Sequence, residues 1–365
     1  VVFMKICVLG TRGFPLIQGG VEKHCESLYT EFPAEYRFVI FRRKPYVRVT
    51  PSYPNITFID LPSTKIKGFE AVYHSFLSTC RAVLSRPDIV HIHNIGPALF
   101  SPLLKLCGIK VVLTYHSPNY EHKKWGWGAR TLLKWSEKIA LRMSDAVIFV
   151  NKFQLEKYDE RTRSKSYYIP NGIPRITPAT QQNYIRELGL TPGKYILGVG
   201  RITPEKGFDC LEKAFAGVDT DYKLVIAGSV ETESAYLDEL KSILPPEKIV
   251  FTGYVYGEKL NQLYTHAGLY VLSSYNEGFP LVLLEAMSYG LDVLVSDIPA
   301  SHLVDLPADD YFGKGDYEEL ARKIERKLKY PRQQKQKYEL EAYDWTAIVK
   351  RLAAVYDKLN GRKQV

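Results

Sequence analysis

The sequence predicts an α/β protein of two doubly wound parallel-sheet lobes, each Rossmann-like, and three observations carry that prediction. A chain of 365 residues exceeds the size at which one hydrophobic core stops growing, so two domains are expected. Short β-branched runs alternate with amphipathic stretches of helical length along the whole chain. Between the halves, Ile169–Ala179 gathers Pro170, Asn171, Gly172, Pro174 and Pro178, a density of turn formers suited to a linker.

That linker puts a first lobe at residues 1–172 and a second at 173–344. Strand signals in the first are Lys5–Leu9, Phe38–Phe41, Asp88–His93, Val111–Tyr115 and Ala146–Val150. In the second they are Tyr195–Val199, Lys223–Ala227, Ile249–Thr252, Leu269–Leu272 and Val293–Ser296. A last amphipathic stretch, Trp345–Leu359, follows a break at Pro331 and is free to join either lobe. No repeat at solenoid or propeller period is visible.

Composition bounds the rest. Apolar residues make up 45% and charged residues 24%, the proportions of a folded globular protein. The opening run Val1–Leu9 is too short to span a membrane and carries Lys5, so it reads as a first strand, with Met4 as the natural start. Five dispersed cysteines, Cys7, Cys25, Cys80, Cys107 and Cys210, form no CxxC pair and fit a reducing, cytoplasmic setting. The net charge of +9 is uneven: through Pro170 there are 25 Lys and Arg against 13 Asp and Glu, and the remainder is weakly acidic. A basic first lobe suits an anionic partner, and Arg42, Arg43, Lys44, Lys123 and Lys124 are its candidate contacts with the inner face of a cell membrane. No nucleic-acid-binding motif accompanies the charge.

Three segments carry chemistry. In Asn276–Met287, the loop that follows the buried strand ending at Leu272 carries Glu277 and Gly278 into a helix that should begin near Pro280, so its N-terminus faces the carboxyl edge of the sheet, where such folds bind phosphate. Glu277 and Glu285, with seven residues between them, then reach one crevice. Carboxylates suit sugars because they accept charge-assisted hydrogen bonds from neighbouring hydroxyls. In Gly198–Gly207, Arg201 and Lys206 sit beside the same edge, placed to stabilise a departing diphosphate. After the first strand, Gly19–Gly20 precedes a helix and offers close backbone approach to a phosphate.

His116 follows the strand Val111–Tyr115 and lies at the carboxyl edge of the first sheet. His91 and His93 share a strand face, but no third ligand at metal spacing is evident, and no metal is assigned. Asp219-Thr220-Asp221 has the DxD form of a metal-binding motif yet reads as a turn away from the site edge.

Taken in order, GTRGFPLIQGGVE, TYHSPN, PNGI, GRITPEKG, VIAG, FTGYV and NEGFPLVLLEAM resemble glycosyltransferase family 4, over roughly residues 5 to 355. The opening GTRGFP with GGVE is similar to bacterial enzymes of capsule, exopolysaccharide or O-antigen assembly. The resemblance implies the GT-B fold, two lobes facing a central cleft, with the helix at 345–365 crossing back onto the first. It implies that Arg201 and Lys206 bind the donor diphosphate, Glu285 the ribose, and Glu277 the transferred sugar. Gly278, Phe279 and Pro280 would present backbone to the donor, Tyr254 and Val255 would flank the base, Gly20 would approach the phosphates, and His116 would contact the sugar near the reacting carbon. It further implies a metal-independent, retaining transfer from a nucleotide-sugar donor to a lipid-linked or oligosaccharide acceptor, with no enzymatic nucleophile and no cofactor.

An epimerase or sugar-phosphate synthase on the same fold stays open. A nicotinamide-dependent oxidoreductase would want GxGxxG after a first strand, and neither Gly10-Thr11-Arg12-Gly13 nor Gly198-Val199-Gly200 continues into it.

Overall fold

A computed structural model describes residues 3–361 apart from 18, 65, 67–68, 119, 121–125, 174–175, 231–234 and 332–334. The chain divides into two compact units, residues 1–172 with 341–365, and residues 173–340. Residues 341–344, expected with the second lobe, go with the first, where Asp344 caps the last helix by accepting from Thr346 N–H.

The first unit runs β1 (Met4–Leu9), α1 (Gly20–Thr30), β2 (Tyr36–Arg43), β3 (Ile56–Leu61), α2 (Phe69–Ser85), β4 (Ile89–His93), α3 (Ser101–Leu106), β5 (Lys110–Tyr115), α4 (Trp127–Met143), β6 (Ala146–Phe149), the single turns α5 (Lys152–Leu155) and α6 (Glu160–Arg163), and β7 (Ser166–Tyr168). The second runs α7 (Asn183–Glu187), β8 (Tyr195–Val199), α8 (Phe208–Ala216), β9 (Lys223–Ala227), α9 (Ala235–Leu240), β10 (Ile249–Gly253), α10 (Glu258–His266), β11 (Leu269–Leu272), α11 (Leu281–Ser288), β12 (Val293–Ser296), β13 (Tyr311–Phe312) and α12 (Tyr317–Lys329). A final helix, α13 (Trp345–Asn360), belongs to the first unit.

Both sheets are parallel, in the orders β3-β2-β1-β4-β5-β6-β7 and β10-β9-β8-β11-β12-β13. The central strands are covered on both faces, which is why they read as predominantly apolar runs. One face of the first sheet buries Cys25 and Leu28 of α1 with Ile348 and Leu352 of α13. The other buries Ala82 of α2, Leu104 of α3, and Ala140 and Leu141 of α4. Gly172 lets α13 dock, because a Cβ there would lie 2.5 Å from the Trp345 ring.

Each order reverses direction once, between β1 and β4 and between β8 and β11. At such a switch point the loops leaving the two strands diverge and open a crevice at the carboxyl edge.

Two of the residues expected at a membrane face are instead structural. Arg42 is 1% exposed, bonds both carboxylate oxygens of Asp60 at 2.7 and 3.0 Å, and lies over the Phe58 ring. Arg43 is buried and bonds Glu70 at 3.1 Å. A strand-borne Arg whose neighbouring strand supplies a carboxylate turns inward. Lys44 is exposed, and Lys123 and Lys124 lie outside the described residues.

Candidate functional site

The switch point of the second sheet brings two of the expected residues into contact. The loop after β8 carries Arg201 and Lys206, and the loop after β11 carries Glu277. Lys206 Nζ bonds Glu277 Oε1 at 2.6 Å, and Ser274 Oγ donates to the same oxygen at 2.7 Å. Backbone bonds join the two loops, Tyr275 N–H donating to Glu205 C=O at 2.8 Å. Gly207 makes the approach possible: it sits at φ 62°, and a Cβ there would lie 2.1 Å from the Ser273 carbonyl oxygen. Arg201 is half-buried at the end of β8, and its neighbour Ile202 donates its N–H to Ser229 C=O at 3.1 Å.

Past Glu277, Gly278 is half-buried, Phe279 and Pro280 are buried, and α11 starts at Leu281 with Pro280 as its N-cap. Glu285, in the second turn, is 6% exposed and accepts from the Tyr264 hydroxyl of α10 at 2.9 Å. Burial, followed by the charges of Glu277 and Glu285, raises the Tyr270 hydroxyl well above the usual phenol range, so both carboxylates lie near it. That hydroxyl is buried with no hydrogen-bond partner among the described residues. Tyr254 and Val255 follow β10 at the same edge, Tyr254 exposed and beside Tyr256. The sequence gives no spacing signal for Ser274, Tyr264 or Tyr270, because each reaches the site only through the fold. Asp219-Thr220-Asp221 lies before β9, at the opposite edge, where Asp221 pairs with Lys194 at 3.1 Å.

Gly20 and His116 belong to the first unit. Gly20 is the exposed first residue of α1, after the loop that leaves β1, and His116 follows β5. His116 Nε2 shares a 3.0 Å hydrogen bond with His93 Nδ1, His93 Nε2 meets Tyr29 Oη at 2.7 Å, and Tyr29 Oη meets His91 Nδ1 at 3.0 Å. His91 in turn bonds Thr114 at 2.6 Å and Tyr356 at 2.5 Å. Burial is the first cause lowering every imidazole here, His24 to about 4 and His91 to about 3, with the other histidines adding to the effect on His93 and His116. The rings are therefore neutral at pH 7. If Tyr29 donates to His93 Nε2, the other His93 nitrogen carries the proton bonded to His116 Nε2, which leaves His116 its own proton on Nδ1.

The spacing of His91 and His93 offers no third ligand, and the cluster that the fold assembles uses only His93 of the two. His24 of α1 joins His93 and His116, with ligand nitrogens all within 4.8 Å of one another. The facing nitrogens of His93 and His116 are already hydrogen-bonded to each other. Arg201, Lys206, Glu277, Glu285, Tyr254 and Val255 thus gather at one edge of the second sheet, and Gly20 and His116 at the carboxyl edge of the first. The arrangement in the second unit pairs Lys206 with Glu277 and sets Arg201 and Glu285 at the same edge, a set suited to a sugar joined to a diphosphate.

Two family models match successive parts of the chain. Residues 18–175 match "Glycosyltransferase Family 4" and residues 180–345 match "Glycosyl transferases group 1". Among curated proteins the chain is similar to a sulfoquinovosyl transferase of Arabidopsis thaliana, 27% identical over 73% of this chain and 56% of that protein. It is also similar to an alpha-galactosylglucosyldiacylglycerol synthase of Streptococcus pneumoniae, 32% identical over 37% of this chain. The chain spans 56% and 39% of the lengths of these relatives. Among solved structures, a sucrose-phosphate synthase of Thermosynechococcus elongatus superposes with TM-score 0.80 at 21% identity, over 98% of this chain and 99% of its own. Anabaena HepE, in complex with UDP and glucose, gives TM-score 0.76 at 17% identity, over 97% and 100%. Likeness at this identity fixes the fold, which is GT-B.

Proposed function

The chain belongs to glycosyltransferase family 4, and on that premise we propose that it moves one sugar from a nucleoside-diphosphate sugar to a lipid-linked or oligosaccharide acceptor in surface-polysaccharide assembly, with retention. The observation that carries the reading is the Lys206–Glu277–Ser274 cluster at the switch point of the second sheet.

Its chemistry follows from charge. Breaking the bond between the sugar's anomeric carbon and the β-phosphate oxygen leaves negative charge on the diphosphate, and Arg201 and Lys206 are fixed cations at that edge. Glu277, oriented by Lys206 and Ser274, accepts from hydroxyls of the transferred sugar. Glu285 takes the ribose hydroxyls, Tyr254 and Val255 flank the base, and Gly278, Phe279 and Pro280 present backbone at the start of α11. Gly20 offers its N–H to phosphate, and His116, neutral, hydrogen-bonds the donor sugar. The acceptor oxygen attacks the face the diphosphate leaves, and its proton passes to the departing phosphate oxygen. No covalent enzyme nucleophile enters, and the two side-chain cations take the place of a metal.

UDP and UDP-glucose complexes of HepE make uridine donors the first to try. The Streptococcus relative, a diacylglycerol-lipid synthase by name, favours a lipid acceptor and a site of action at a membrane face. The test is to incubate the protein with α-linked UDP-sugars and undecaprenyl- or diacylglycerol-linked acceptors and determine the anomer of the product by NMR. An α-linked product supports retention; a β-linked product refutes it, and donor turnover that yields only a rearranged sugar nucleotide supports an epimerase instead.

A further inference from the structure

The first unit turns a basic, aromatic helix face to solvent. On α4, Trp127 is 85% and Trp135 64% exposed, and Leu106 of the adjoining α3 is 84% exposed. At 100° per residue, Trp127, Lys134, Trp135, Lys138 and Arg142 fall within an arc of roughly 100°, opposite the buried Ser136 and Ala140. The one carboxylate of this helix, Glu137, is turned inward to the hydroxyls of Tyr115 and Tyr158. The outward stripe of α4 therefore carries positive charge and no carboxylate of its own. Exposed tryptophan beside lysine and arginine matches the headgroup layer of a bilayer, where the indole sits among glycerol and acyl groups and the cations meet lipid phosphate.

We propose that this face of α4, with Leu106 beside it, is a docking surface for an anionic phospholipid membrane. Charge complementarity selects that occupant over a second copy of the chain, whose matching face would bring cations against cations. The surface lies on α3 and α4, in the helix layer over the sheet face opposite α1 and α13, and differs from the Arg42–Arg43 patch that the sequence suggested. α4 begins at the end of the loop that carries His116 out of β5, so docking would hold that end of the first unit near lipid-borne acceptors. The residues lie outside the donor site, so the surface can hold or fail independently of the transferase reading.

The experiment is co-sedimentation of the full chain with phosphatidylcholine vesicles, alone or mixed with phosphatidylglycerol. Binding should require phosphatidylglycerol and weaken as salt rises. Lys134→Gln/Lys138→Gln/Arg142→Gln should bind those vesicles roughly a hundredfold more weakly, at about fivefold per cation removed. Trp127→Ser/Trp135→Ser should bind at least about tenfold more weakly while keeping the circular dichroism and melting temperature of the wild type, because both rings are exposed. Binding indifferent to phosphatidylglycerol, or variants that bind as the wild type does, would overturn the proposal. So would a dimer in solution that the double tryptophan variant dissociates, since a second copy would then be the occupant.

Discussion

Replacing Glu277 by Gln keeps the shape of the side chain and removes its charge. In the wild type the carboxylate is 10% exposed, and its Oε1 accepts from Lys206 and Ser274. The amide oxygen of Gln can still accept from both donors but cannot neutralise Lys206, itself only 19% exposed. Leaving a partly buried cation without its partner costs roughly 1–3 kcal/mol, toward the low end because solvent still reaches Nζ. In a lobe of this size each kcal/mol moves the melting temperature by roughly 2–4 °C, so a fall of about 2–12 °C is expected with the fold intact. The effect on transfer is larger. In the proposed role Glu277 accepts two charge-assisted hydrogen bonds from the sugar; their loss, at roughly 1.5–3 kcal/mol each, should lower kcat/KM by about 10²–10⁴-fold. Initial rates of nucleoside-diphosphate release at several donor concentrations measure it. A folded variant with kcat/KM within about threefold of the wild type would refute the role given to Glu277.

Two further predictions concern the frame of the site. Gly207→Ala forces a Cβ against the Ser273 carbonyl at φ 62°, so it should cost at least about 2 kcal/mol in denaturant unfolding and lower turnover by disturbing the Lys206 loop; an unchanged midpoint would show that the two loops are not coupled there. Glu212 of α8 is fully buried, and burial, then Asp209, pushes its carboxyl up to about 8. Since this value lies above that of the unfolded chain, the contribution of Glu212 is fully present below about pH 4.5 and is lost as the pH rises toward 8, a loss on the order of 3 kcal/mol at pH 7. Glu212→Gln should flatten that stretch of the stability–pH curve, and a variant whose curve parallels the wild type would contradict the assignment.

The strands most legible in the sequence are those buried on both faces. β3, β7 and β13, which gave no strand signal, all lie at sheet edges, where one side has no neighbouring strand and the residues need not be apolar. Ile56–Leu61 buries only Ile56 and exposes Thr57 and Asp60 without a regular period of two, and Ser166–Tyr168 and Tyr311–Phe312 are too short to register a period. In the candidate site, the approach of the Lys206 and Glu277 loops to one edge followed from strand ends and glycines. Their 2.6 Å contact spans 71 residues and depends on β8 lying beside β11, which no local pattern encodes. The histidine cluster was hidden for the same reason, since His24, His93 and His116 come from three separate elements. Charge counting located the basic lobe but could not tell Arg42, sequestered by Asp60, from the exposed Lys134 and Lys138.

The most direct test of the central claim is thermal unfolding of the full chain with UDP, GDP, dTDP, ADP or NAD. A ligand at about 100 times its dissociation constant stabilises the folded state by roughly 2.7 kcal/mol. The melting temperature should rise with at least one nucleoside diphosphate, and the rise should be lost when Lys206 is replaced by Ala. A rise with NAD alone, or a nucleoside-diphosphate response that Lys206→Ala leaves unchanged, would contradict the claim.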